Sequence, residues 1–287
     1  MRLRVCVGDL VSWRGVDAIA VSANRALQGN ASPRYWRFSG RESVDGSVRL
    51  ASGEELAQAA KGALACTKWG RVDVGEAVAT PAFGAVAQAG CRHVIHVVVP
   101  DGAQVHAGGS DHHVQQTAIP MLHQSFCAVL NAAMECGAHS VGIPALGCGV
   151  KLWKPRHVAD VAARVVADAA LECGTLTTRG NRVIGAVDFV MRTDDMAWHW
   201  VEAFETLFGP SVEATPPQPL ANGPIATWDL CRHMALRVPA RSAGLAAPRG
   251  AYHASAQKTC SSADEHQVKA KRALLTHRTL QRVCDSR

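Results

Sequence analysis

The chain has 287 residues, 48% of them hydrophobic and only 5% aromatic, and a formal net charge of +6. That length allows one or two domains with a sizeable core, filled by Val, Ala and Leu rather than by rings. No run of about 18 apolar residues occurs, so no membrane span is expected. The ten cysteines include no CxxC pair, which argues against a disulfide framework and for a reduced protein inside the cell, cytoplasmic or nuclear.

Taken in chain order, the first strand is expected at 3–7. The run MRLRVCVGDLVSW is broken by Gly8 and Asp9 and lacks a small-residue cleavage site, so it reads as a strand and not as a signal peptide. A second strand follows at 17–22, within VDAIAVSAN. Residues 29–46, GNASPRYWRFSGRESVDG, form a long connection holding Tyr35, Trp36 and Phe38. A helix is expected at 54–65, then strands at 76–80 and 93–99. Asp111-His112-His113 falls in the next loop; no second cluster completes a metal site there, and no metal or cofactor is expected. A helix at 114–136 stops at Gly137, and a strand at 139–143 runs into Pro144 and the loop Gly147-Cys148-Gly149. Pro155 opens a helix at 156–173 that Gly174 closes. A strand at 183–191 and a helix at 195–208 complete the series. Strands alternating with helices predict an α/β fold in three layers, helices covering both faces of a mixed, largely parallel six-stranded sheet.

Charge separates this part from the rest. Residues 1–209 carry equal numbers of basic and acidic groups, whereas 210–287 hold the whole excess of +6. A proline-rich linker, 210–224, opens a basic, Pro/Ala/Ser-rich tail. Its composition predicts disorder, with a short helix near 264–283 built on Leu274, Leu275 and Leu280. Such a tail suits an acidic partner or nucleic acid, or is a solvated extension.

Five short stretches in register carry a family resemblance. They are VDAIAVSAN (16–24), SVDGSVRLASG (43–53), GEAVATP (75–81), RHVIHVVVP (92–100) and VGIPALGCGV (141–150). Together they resemble the macrodomain family over about residues 1–209. The resemblance implies an ADP-ribose-binding module, expected as a monomer. It also implies one of two functions. One is a MacroD-type hydrolase that removes ester-linked ADP-ribose from proteins or deacylates O-acyl-ADP-ribose. The other is a non-catalytic reader. Nucleic-acid association through the tail stands as a third reading.

The resemblance assigns site residues one by one. Asp9, with Leu10 beside it, matches the acid that meets the adenine amino group; otherwise Asp9 is a turn former. Asn24 matches the residue at the distal ribose; its other reading is a left-handed turn residue. Ser43 and Val44 offer backbone N–H groups to a phosphate. Asp45 matches the catalytic acid that orients or deprotonates a water, and it also has the chemistry of a helix N-cap. Gly147, Cys148, Gly149 and Val150 match the second phosphate loop; Cys148 replaces a Ser or Thr, and a catalytic thiol is a further reading. Trp153 either stacks near the distal ribose or packs on the following helix. Arg192 falls where the family has an adenine-stacking aromatic, and a guanidinium plane can stack as well.

Three departures bear on activity. Val21 replaces an Asn of the second-strand motif. Arg49 replaces a His, and arginine cannot act as a base. The connection carrying Tyr35, Trp36 and Phe38 is about ten residues longer than a short glycine loop. Those rings either cover the site or form a satellite core.

Overall fold

Seven strands form one sheet in the computed structural model, which describes residues 1–29, 43–102, 117–176, 183–211 and 223–230. The strands are β1 (Arg2–Val7), β2 (Ala18–Ser22), β3 (Ala77–Pro81), β4 (His93–Val97), β5 (Ser140–Ile143), β6 (Ala186–Met191) and β7 (Gly223–Asp229). They lie in the order β3-β4-β2-β5-β6-β1-β7. The inner five are parallel, and β3 and β7 are antiparallel edges. The helices are α1 (Val44–Ala65), α2 (Gly84–Gln88), α3 (Ile119–Glu135), α4 (Pro155–Leu176) and α5 (Asp194–Phe208).

The strands are apolar on both sides because both faces are covered. Successive residues point to opposite faces. Val5, Ala20, Ile95, Ile143 and Phe189 meet α3, α4 and α5 in the main core. Their neighbours Cys6, Ile19, Val94 and Val190 meet Val48 and Leu56 of α1 and Val86 of α2. The three-layer fold expected from alternation is therefore the fold observed. On the first face a chain of ring contacts joins Phe126, Phe189, Phe204 and Trp228, with Trp200 packed on Phe189.

The structure corrects the expected elements in three places. The helix expected from 54 starts at Val44, because the Ser43 hydroxyl accepts a hydrogen bond from Gly46 N at 3.0 Å and caps it. Gly53 (φ 75°, ψ −163°) interrupts that helix, which is why only its second half carried a helical pattern. The five-residue α2 is too short to carry a period of its own. The third correction is β7, a seventh strand inside the segment read as linker and tail. Its alternate residues Ala226 and Trp228, with Leu230 after them, are buried on the main-core face, and it closes the open edge of β1. All described residues belong to one compact unit, Met1–Pro239. Tyr35, Trp36, Phe38, Asp111–His113 and the helix expected at 264–283 lie outside the described residues.

Candidate functional site

The carboxyl ends of β1, β6, β2 and β5 share one rim of the sheet, the place where ligands bind in open α/β folds. A small, shallow cleft opens there. It gathers Asp9, Leu10, Val44 and Arg192 from among the expected residues, and adds Gly8, Val11, Ser47, Pro144 and Val190. β1 delivers Asp9, β6 delivers Arg192 and the start of α1 delivers Val44. Pro144 ties the cleft to the loop after β5. Val190 and Ser47 had no signal in the sequence, since an apolar strand residue and a helix serine look the same anywhere.

Asp9 has the turn-forming role. Its carboxylate accepts from Val11 N at 3.2 Å, capping the 3-10 turn Leu10–Ser12, and it also forms part of the cleft wall. Leu10 is buried beneath it, 4% exposed. Arg192 stands exposed at the end of β6, where its planar guanidinium can lie against a flat ligand.

At the head of α1, Ser43 and not Asp45 is the N-cap. Its hydroxyl accepts from Gly46 N, so only the Ser43 backbone could meet a ligand. Asp45 is the second helical residue and only 5% exposed. The positive end of the helix favours a negative charge there. A helix end of this kind can also receive an anion, because its first N–H groups have no acceptor within the helix; here the Gly46 N–H is already taken by Ser43. Arg49 is one turn further along. Its guanidinium donates to the Gly53 carbonyl and pairs with Glu54 at 3.1 Å, and its stem packs against Gly29.

Asn24 follows β2 and is half-buried. Its Oδ1 accepts from Ala26 N at 3.0 Å and Gln28 N at 3.2 Å, so the side chain builds the turn 24–28. Asn24 is not left-handed; the positive φ of this turn falls on Leu27, at 49°. With the carbonyl oxygen committed, its amide NH2 is the group that can address a ligand. Val21 is fully buried in the core shared with α1.

The loop after β5 turns at Gly147 (φ 81°), and a Cβ there would come within 2.9 Å of Trp153. Trp153 corrects the sequence reading: it is 2% exposed, its indole N–H donates to Pro100 O at 2.9 Å, and it props the loop from below. It has no open face to offer a sugar. Cys148 is half-buried, and burial pushes its thiol up to about 12. A thiol so rarely ionised at neutral pH is a poor nucleophile. Gly149 is exposed and Val150 half-buried at the loop's outer edge.

A buried carboxylate and a buried imidazole escaped the sequence reading. Asp188 on β6 is 0% exposed and binds Arg4 and the Trp13 indole. A single acid inside the apolar run AVDFVM was the available signal. His96 on β4 is 3% exposed, with Nε2 3.0 Å from Thr80 Oγ1. Among the described residues no group of His, Cys, Asp and Glu has the arrangement of a metal site, and no helix is long and apolar enough to cross a membrane.

Comparison with known proteins agrees with the residues. The Macro domain family model matches residues 23–162. An O-acetyl-ADP-ribose deacetylase of Escherichia fergusonii is 30% identical over 170 residues, covering 58% of this chain and 79% of that protein. One from Citrobacter rodentium is 29% identical over 167 residues, with the same coverage. Among solved structures, the Oceanobacillus iheyensis macrodomain with ADP aligns at a TM-score of 0.52 and 20% identity, covering 71% of this chain and 90% of that one.

Proposed function

This chain belongs to the macrodomain family, and on that premise we propose that it binds ADP-ribose and hydrolyses ester bonds at the ligand's distal ribose. The observation that carries the reading is the head of α1, where a capped helix terminus brings Val44 and Ser47 to the same cleft as Asp9 and Arg192, with the buried Asp45 carboxylate in the same helical turn. In this reading adenine lies in the cleft, its amino group donating to Asp9 and its face on Arg192. The diphosphate rests between the N–H groups at the start of α1 and the loop Gly147–Val150. The distal ribose then reaches Asn24 and Asp45.

The proposed substrates are ester-linked ADP-ribose on protein carboxylates and O-acyl-ADP-ribose. A water held by Asp45 attacks and gives its proton to the carboxylate. The ester C–O bond breaks, Asp45 returns the proton to the departing ribose oxygen, and the carboxylic acid leaves as the other product. The deacetylase names of the Citrobacter and Escherichia relatives support the ester class. Val21 and Arg49 favour a second reading, a reader that binds without turnover: the first removes a polar group from β2, and the second cannot accept a proton. The basic segment 210–287 supports a separate proposal, contact with nucleic acid or an acidic partner.

Calorimetric titration tests the binding. ADP-ribose should bind with a micromolar Kd, roughly −7 to −9 kcal/mol, and AMP at least about tenfold more weakly, because AMP cannot span both loops. Equal affinities would mean that the second loop and Asn24 take no part.

A further inference from the structure

Beneath the cleft, on the same face of the sheet, lies a buried charge that the ester chemistry does not use. Asp188 pairs across the sheet with Arg4 on one side and Gly142 on the other. Val190, two residues further along β6, is cleft wall. The Asp188 carboxylate takes a forked pair of hydrogen bonds from Arg4, through Nε at 2.8 Å and through Nη2. Its Oδ2 also accepts from Trp13 Nε1 at 3.0 Å. Trp13 is 7% exposed and closes the 3-10 turn whose other end is Asp9, its own N–H donating to Leu10 O at 3.3 Å.

The segment 9–13 therefore rests on the sheet at two points. Leu10 lies over Gly142, where a Cβ would stand 3.3 Å from Leu10 Cδ1. That contact is apolar and sets no direction. The second point is the Trp13–Asp188 hydrogen bond, which does. Burying an ion pair is a poor route to stability, since apolar replacements of equal volume are often neutral or better. A charge-assisted hydrogen bond is, however, short and directional.

We propose that Asp188, held by Arg4, and Trp13 are positioning residues that fix the 9–13 turn over the cleft and thereby set selectivity for a base bearing an exocyclic amino group. The selectivity rests on the ADP-ribose reading above; the anchoring does not. When the indole hydrogen bond is lost, the turn shifts on its apolar contact and Asp9 no longer faces a fixed point.

The test uses the full chain with Trp13→Phe, which keeps the ring and removes the donor. A second variant, Arg4→Met with Asp188→Leu, keeps the volume and removes the charges but leaves the Trp13 indole N–H without its acceptor, so its Tm should fall only slightly. Two measurements are made on each. Amide hydrogen exchange at Leu10, Val11 and Ser12 in ligand-free protein should rise about tenfold in both variants while β2 and β5 stay unchanged. The preference for ADP-ribose over inosine diphosphate ribose, whose base carries a carbonyl in place of the amino group, should fall from about tenfold or more toward one. Unchanged exchange would overturn the anchoring, whatever the ligand result. Faster exchange with the preference intact would overturn the assignment of selectivity, and a fall in Tm alone would reduce the network to a core contact. Wild type that binds neither nucleotide would count against the ADP-ribose reading, with exchange still deciding the anchor.

Discussion

At the residue scale the site rests on groups that do two things. Asp9 caps a turn and walls a cleft; Asn24 builds a turn with its oxygen and keeps its NH2; Asp45 adds a buried charge to a helix terminus. For Asp45 the two roles separate kinetically. A carboxylate near a diphosphate gains little from the bound ground state but gains from taking a water proton in the transition state. Asp45→Asn should therefore cut turnover of an O-acyl-ADP-ribose ester by about 10²-fold or more while the ADP-ribose Kd moves less than about threefold, read by calorimetry beside a deacylation assay. Turnover unchanged in the variant would discard this mechanism. Asn24→Ala should weaken binding and turnover together, because it disturbs the whole 24–28 turn. Sequence motifs pointed to Asp9 and Arg192, which the structure brings to one cleft, because their positions follow strand ends. They left Trp153 open between ligand and packing, because a ring after a glycine loop looks alike whether it faces a ligand or supports the loop from beneath.

At the element scale six strands and four helices were legible from alternation, helical period and Gly or Pro punctuation. The start of α1 was not, since its cap is one serine and Gly53 divides its period. β7 was hidden by composition: seven residues between a proline-rich linker and a basic tail carry too little pattern of their own. What marks them as a strand is the edge they cover. Trp228 is fully buried, stacks edge-on against Phe204 at 5.5 Å and donates to Gly209 O at 3.0 Å. Trp228→Ala should cost about 3–5 kcal/mol, as other buried Trp truncations do. A chain ended after Pro239 should melt within about 3 °C of full length. One ended after Gly209 loses β7 and exposes the β1 edge, so it should melt far lower or aggregate. Differential scanning calorimetry of the three chains decides this. Equal Tm values for the chains ending at 209 and 239 would show that β7 adds nothing to the fold.

At the scale of the whole molecule, stability should depend on pH through a residue remote from the cleft. His96 lies within β4, between β2 and β3, and burial holds its imidazole at about 4 against an ordinary 6.5. Its Nε2 meets Thr80 at 3.0 Å, while Nδ1 has no hydrogen-bond partner among the described residues. A proton added to this ring would be buried without a counter-charge, so the folded state resists it and the unfolded chain accepts it. Between pH 6.5 and 4 the unfolded state thus binds more protons than the folded state, and stability rises with pH across that window. The contribution is complete above 6.5 and is lost as pH falls toward 4. Acidifying from pH 7.5 to 5 should remove about 2 kcal/mol through this one group. His93, also lowered by burial and by Arg92, adds a change of the same sign. Urea denaturation of the wild type and of His96→Gln at both pH values measures the difference. The variant should be less stable at pH 7.5, having lost packing, yet lose clearly less than wild type on acidification. An equal loss in both proteins would mean that His96 takes up its proton within the fold.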